Sequence, residues 1–325
     1  MKPKVFVSRL IPDRGLDLVK EFCDTEVWDG ELPPPRDVLL EKVRDMEGLL
    51  CLLTDEVGAE LLDSAPDLKV VSNYAVGFDN IDVEECTKRG IPVGNTPGVL
   101  TETTADLAWA LLMAGARRIV EGADYVRAGR WKTWRPMLLL GQDVHGATLG
   151  IIGLGRIGSA MARRASGFDM RVLYYDIRRR EDLEAEWGVE YADLDALLRE
   201  SDFVTIHTVL NSETYHFIGK REFQLMKETA VLVDAARGPI IDPEALYQAL
   251  KGGQIAYAAL DVTEPEPINI DNPLLELDNI VIVPHLGSAS YATRGKMAEM
   301  AARNLIAGLK GERLPTCVNP EVYEE

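Results

Sequence analysis

The stretch "TLGIIGLGRIGSAMARRASGFDMRVLYYD", residues 148–176, constrains the fold more than any other part of the chain. A strand-like run, "TLGII", leads into Gly153, Gly155 and Gly158 at G-x-G-x-x-G spacing, and a helix-compatible segment follows. A second β-rich run, "RVLYY", then ends at Asp176, 18 positions past Gly158. Each part has a physical task. Gly153 permits a tight turn, Gly155 lets backbone approach a pyrophosphate, and Gly158 lets helix pack on strand, while the helix N-terminus offers unpaired N–H groups to the anion. Asp176 is placed to accept hydrogen bonds from a ribose. Three glycines alone could be ordinary turn residues; strand, helix, second strand and terminal acid together imply a bound NAD. The acid favours NADH, whereas Arg178, Arg179 and Arg180 directly behind it offer cations that the 2′-phosphate of NADP could meet.

The same grammar repeats along the chain. Short β-branched runs ("KVFVS", "GLLCLL", "LKVVSNY", "IPVGN") alternate with amphipathic stretches over Gly15–Phe22, Ala59–Leu62 and Val83–Lys88, as parallel βα units require. The segment from "NTPGVL" to "AGRW" opens with turn residues and continues as a long helical pattern, a boundary helix between two lobes, with Thr103 and Asp106 at capping-box spacing. A second βα series runs to "NIVIVPHLGSAS", and a closing helix is expected from about Tyr291 to Leu309. With 325 residues the expected architecture is α/β, two doubly wound parallel-sheet lobes.

Composition narrows the partners. Thirty-five Lys and Arg against 53 Asp and Glu give a net charge of −18, which argues against nucleic acid and against an anionic membrane surface. The four cysteines are scattered without C-x-x-C spacing and read as reduced thiols; no residue cluster suggests a metal. "MKPKVFVSRLIPD" enters a strand at once, and no apolar run approaches the roughly 20 residues that span a bilayer, so a cytoplasmic enzyme is expected.

Candidate chemistry lies behind later strands. "VLVDAARGPIID" sets Arg237 after an apolar run, "ALDVTEPEP" carries Asp261, Glu264 and Glu266, and "VIVPHLGSAS" carries His285. Singly, each has a plain reading as a solvated loop residue or a core hydrogen-bond partner. Together, at the strand ends of a nucleotide-binding sheet, they converge on one reaction.

The order GLGRIG, AARGPIID, DVTEPEP and PHLGSAS, with "NYAVGFDNID" upstream, resembles the D-isomer-specific 2-hydroxyacid dehydrogenases over nearly the whole chain, and most of all the glyoxylate/hydroxypyruvate reductases. The resemblance implies a Rossmann NAD-binding domain at residues 99–288 inserted in a flavodoxin-like substrate domain, residues 1–98 and 289–325. It implies Arg237 as the cation for a 2-oxo acid, His285 as acid and base, and Glu266 as support for the imidazolium. Leu53, Val76 and Gly77 would line the substrate site, and Thr104, Arg156, Ile157, Thr208 and Asp261 would join the glycines and Asp176 around the dinucleotide. Trp134 would lie near the active site or in the contact of a homodimer. The implied activity is reversible reduction of glyoxylate or hydroxypyruvate. A D-3-phosphoglycerate or other D-2-hydroxyacid dehydrogenase is the variant, and an NAD(H)-sensing corepressor-like protein the alternative of another class. The chain departs from the family pattern at Asp234, where asparagine is usual, and at Val209, where proline is usual. Val76 stands where the related phosphite dehydrogenases carry lysine, which disfavours phosphite oxidation.

Overall fold

Buried strands of a parallel sheet need apolar side chains on both faces, and the β-branched runs supply them. In the computed structural model, which describes residues 2–324, every ladder between the strands named below is parallel. The chain divides into two compact units, one up to Leu100 and again from Ala289, the other Thr101–Ser288.

The first unit begins with β1 (Lys4–Val7), α1 (Asp13–Phe22), β2 (Asp24–Val27), α2 (Arg36–Lys42), β3 (Gly48–Cys51), α3 (Ala59–Ser64), β4 (Val70–Asn73), α4 (Val83–Lys88) and β5 (Val93–Gly94). Its strand order is β2-β1-β3-β4-β5, the flavodoxin-like order. Apolar layers cover both faces, one around Phe6, Leu49 and Val71 and the other around Val5, Leu50 and Val70.

The second unit holds α5 (Thr101–Ala116), α6 (Ile119–Arg127), β6 (Thr148–Ile152), α7 (Arg156–Ala165), β7 (Arg171–Tyr175), α8 (Glu181–Trp187), β8 (Glu190–Tyr191), α9 (Leu194–Glu200), β9 (Phe203–Ile206), α10 (Lys220–Leu225), β10 (Val231–Asp234), α11 (Pro243–Lys251), β11 (Tyr257–Leu260) and β12 (Ile280–Ile282). Its order is β12-β11-β10-β9-β6-β7-β8, so the chain reverses direction across the sheet between β6 and β9. Ligands of open α/β sheets bind at such a switch point, beyond the strand C-termini.

The last helix, α12 (Tyr291–Leu309), returns to the first unit, with the Ser290 side chain capping it through Thr293 N–H. Its small residues allow close approach: a Cβ on Gly15 would strike the Ala298 backbone, and one on Gly308 would strike Val70. Ser72 Oγ donates to Ala301 O at 2.8 Å, and Asn304 Nδ2 to Asn95 O at 2.9 Å.

Two expectations are corrected. The long boundary helix is two helices, because the chain turns at Arg118, whose φ of 52° is left-handed and cannot continue an α-helix. Thr103 and Asp106 form no capping box: Thr103 lies inside α5, and Asp106 pairs with Arg164 of α7 at 2.6 Å. Among the described residues no helix is long and apolar enough to cross a membrane.

Candidate active site

The glycine turn between β6 and α7 is built as its spacing requires. Gly153 has φ +93°, and a Cβ there would lie 2.7 Å from Thr208 N, so the turn presses against the chain leaving β9. A Cβ on Gly158 would strike Gly153 O, which fixes how closely helix follows strand, whereas one on Gly155 would meet nothing within 4 Å. Space is therefore open where a pyrophosphate would lie, and Arg156 and Ile157 form the first residues of the helix facing it. Asp176 Oδ2 accepts from Leu154 N at 2.7 Å and Oδ1 from Arg178 N at 3.0 Å, which anchors the acid to the turn it serves. These residues fit a dinucleotide. Two of the three arginines behind Asp176 are occupied: Arg179 pairs with Glu184 at 2.8 Å and lies over the Tyr191 ring, and Arg180 pairs with Asp182 at 2.7 Å.

Three later strands of the same sheet deliver the remaining groups. Arg237 follows β10, half-buried, its Nη1 donating to Ala236 O at 2.8 Å. The next residue must be small, because a Cβ on Gly238 would strike the Thr263 backbone, and this contact sets the Arg237 turn against the loop that carries Glu266. His285 follows β12 with φ +52°, an uncommon backbone for a residue with a side chain. Two groups hold that turn. Asp261 accepts from Leu286 N at 2.5 Å and Gly287 N at 2.8 Å, and Thr104 Oγ1 donates to Gly287 O at 3.0 Å. His285 Nδ1 meets Glu266 Oε1 at 2.5 Å, with side-chain exposures of 28% and 34%. With the carboxylate on Nδ1, Nε2 is the nitrogen left to exchange a proton with a substrate.

Burial shapes the electrostatics here. It pushes the Asp261 carboxyl up, against the pull of the Leu286 N–H and of His285. It also pushes His207, whose Nε2 meets Thr205 Oγ1 at 2.8 Å, down to about 3, so this imidazole beside the glycine turn is neutral. Among the described residues no group of three or more His, Cys, Asp or Glu is arranged to hold a metal.

In the first unit, Leu53 lies in the loop after β3, 39% exposed, and Val76 and Gly77 in the loop after β4. Asn73 Nδ2 donates to Gly77 O at 2.9 Å, Asn95 Nδ2 to Val76 O at 2.8 Å, and Asn80 Nδ2 to Leu52 O at 3.1 Å. Asn73, Asn80 and Asn95 thus tie the two loops together. They carry no motif of their own, although Asn73 and Asn80 bound the "NYAVGFDN" stretch. A second histidine–carboxylate pair was also not legible: His216 Nε2 lies 2.6 Å from Glu264 Oε2, two residues before Glu266.

Comparison with known proteins shows the family. The model of the D-isomer specific 2-hydroxyacid dehydrogenase family, NAD binding domain, matches residues 109–287. This chain belongs to that family. A glyoxylate reductase of Korarchaeum cryptofilum is 58% identical over 325 residues, all of this chain and 98% of the relative. An NADPH-dependent glyoxylate/hydroxypyruvate reductase of Sinorhizobium meliloti, solved with NADP and malonate, superposes with TM-score 0.87 at 32% identity, covering 100% of this chain and 99% of that one. A D-lactate dehydrogenase of Aquifex aeolicus, solved with NAD and lactic acid, gives TM-score 0.85 at 30% identity, covering 97% and 98%. As a family member the protein is an NAD(P)-dependent D-2-hydroxyacid dehydrogenase, and the residues matched by the NAD binding domain model fall within its second unit.

Proposed function

We propose that this dehydrogenase reduces glyoxylate, and hydroxypyruvate beside it, to the 2-hydroxy acid, working in the cytoplasm as a homodimer with NADH preferred. The observation that carries the reading is the short His285–Glu266 contact on the same sheet edge as Arg237. Arg237 binds the carboxylate and keto oxygen of the 2-oxo acid through its planar fork, a local cation in a chain of net charge −18. Leu53, Val76 and Gly77, in loops of the first unit, are proposed as substrate contacts. The bound dinucleotide supplies hydride to C2. His285 gives the Nε2 proton to the keto oxygen, and Glu266, on Nδ1, supports the ring in that role. In oxidation His285 takes that proton back. Thr104 and Asp261 keep the His285 turn in place, Thr208 borders the glycine turn, and all three would touch the dinucleotide.

Sequence supports the substrate choice, since the Korarchaeum relative named glyoxylate reductase is 58% identical across the full chain. The dimer reading rests on exposed apolar side chains in one segment of the second unit, Trp131, Trp134, Met137 and Leu140, with Trp134 78% exposed. A panel of glyoxylate, hydroxypyruvate, pyruvate and 3-phosphohydroxypyruvate, each with NADH and NADPH, tests the proposal. Highest kcat/KM for glyoxylate or hydroxypyruvate is expected. A clear preference for the phosphorylated acid, or no turnover with any of the four, would overturn it.

A further inference from the structure

Asp234 ends β10 in the middle of the nucleotide-binding sheet and is fully buried. Its Oδ1 accepts from Ala236 N at 2.8 Å, but Oδ2 has neither solvent nor a hydrogen-bond partner among the described residues. The neighbouring strands give it apolar company, Ile206 of β9 and Leu260 of β11 in register. Two charged groups act on it, Arg237 three residues on and Asp261 at the end of β11. His207, beyond β9, is held neutral. The two carboxyls differ in one respect. Asp261 has a backbone N–H on each oxygen and so can carry charge, whereas an ionised Asp234 would leave a buried anionic oxygen without a donor.

We propose that Asp234 is a positioning residue for Arg237 that works as a neutral carboxylic acid, its Oδ2 protonated at neutral pH, and that its ionisation weakens the hold of Arg237 on the substrate carboxylate. Burial, the largest influence, pushes the carboxyl up to about 8 against the pull of the Ala236 N–H and of Arg237, and the charge of Asp261 adds to the rise. When the proton leaves, a fixed anion appears beside Arg237 and competes with the substrate for it. Asp234 therefore sets an alkaline limit on substrate binding distinct from the proton donor's limit on turnover.

Stability gives the first readout. A carboxyl whose folded pKa is raised contributes stability that is full below its unfolded pKa near 4 and is lost as pH rises toward the folded value. The stability of Asp234→Asn relative to wild type, by urea unfolding, should therefore grow from about pH 4 to about pH 8 and then level off. Kinetics gives the second. At pH 7 Asp234→Asn should stay within about twofold of wild type in kcat/KM, because the amide copies the neutral acid. Between pH 7.5 and 9.5 the wild-type KM for glyoxylate should rise about tenfold more than that of the variant, while kcat falls alike in both. Should the amide variant not fold, Asp234→Ser removes the same titration and should show the same growing stability difference. A stability difference flat with pH would overturn the neutral acid, and parallel KM profiles would overturn its action on Arg237. The kinetic arm rests on Arg237 being the substrate cation and the stability arm does not, so the two readings fail separately.

Discussion

Strands β7 and β10 lie in one sheet, and each runs apolar into an aspartate and, within four residues, an arginine: Asp176 with Arg178, Arg179 and Arg180, and Asp234 with Arg237. Their environments differ. Asp176 is partly exposed, with each oxygen accepting a backbone N–H, and the carboxylates of α8 take up two of its arginines. Asp234 is sealed from water with one oxygen unpartnered, and the single arginine beyond it is half-buried behind a glycine that fixes its turn. The same residue types thus give a partly exposed acid with occupied arginines at one strand end, and at the other a buried acid, pushed up by burial, beside the arginine proposed to hold the substrate. Solvation decides which.

The largest expected effect breaks the pair apart. Arg237→Ala should lower kcat/KM for glyoxylate by two to three orders of magnitude, about 3 to 4 kcal/mol for losing a group that meets developing charge. Arg179→Ala, in the other turn, should leave glyoxylate reduction with NADH within about twofold. NADH affinity, read by fluorescence titration, should change little in either. Lysine at position 237 should restore only part of the loss, because a point charge cannot reproduce the fork. A folded Arg237→Ala protein of near-normal activity would sink the assignment of this turn.

Much of this contrast was legible in the sequence, and the missing part has a physical reason. The glycine turn and Asp176 are legible from their spacing between two strands, whereas Arg237, Glu266 and His285 stand at strand ends but take their roles only from the resemblance to the family. The edge strand β2, "DTEV", did not: with one neighbour and a burial pattern alternating between exposed and half-buried, it carries acids where a central strand carries valines. The break at Arg118 was hidden because arginine is a good helix former and nothing local marks its left-handed backbone. Asp234 was visible only as a departure from asparagine, since whether a carboxyl is charged depends on neighbours brought in by other strands. The pairing of Arg179 with Glu184 and of Arg180 with Asp182 had a faint signal, basic residues just ahead of an acidic first helical turn, that periodicity alone does not rank.

An intermediate effect is expected at Glu266, which tests how far the proton donor depends on a fixed carboxylate. Glu266 Oε1 lies 2.5 Å from His285 Nδ1, so the carboxylate fixes the ring's orientation and leaves Nε2 for the substrate. Glu266→Gln should lower kcat for reduction by about tenfold, a small part of what general acid catalysis supplies, with KM changed less than kcat. Oxidation of the hydroxy acid, which needs the unprotonated ring, should lose less. An unchanged kcat in a folded Glu266→Gln protein would mean that another group supports the donor.

The smallest effect concerns the exposed turn and the choice of dinucleotide. Asp176 favours NADH twice: it accepts hydrogen bonds from the ribose hydroxyls, worth roughly 1.5 to 3 kcal/mol for a charged acceptor, and it repels a 2′-phosphate, by on the order of 4 kcal/mol at about 4 Å and an effective dielectric near 20. Arg178, Arg179 and Arg180 oppose it, but two of them already meet carboxylates, so their pull on a phosphate is weaker than their number suggests. Wild-type enzyme should therefore prefer NADH while using NADPH measurably. Asp176→Ser should narrow the ratio of kcat/KM values by about tenfold, the lower end of the ribose contact, because solvent around this partly exposed acid screens most of the repulsion. Adding Glu184→Gln, which removes the charge that holds Arg179, should carry the ratio further toward NADPH, and Glu184→Gln alone should move it only slightly because Asp176 still repels the phosphate. If the single Glu184→Gln change moved the ratio as far as Asp176→Ser, the occupied arginines and not the acid would govern cofactor choice. Equal or higher wild-type kcat/KM with NADPH would show that the solvated acid had been given too much weight.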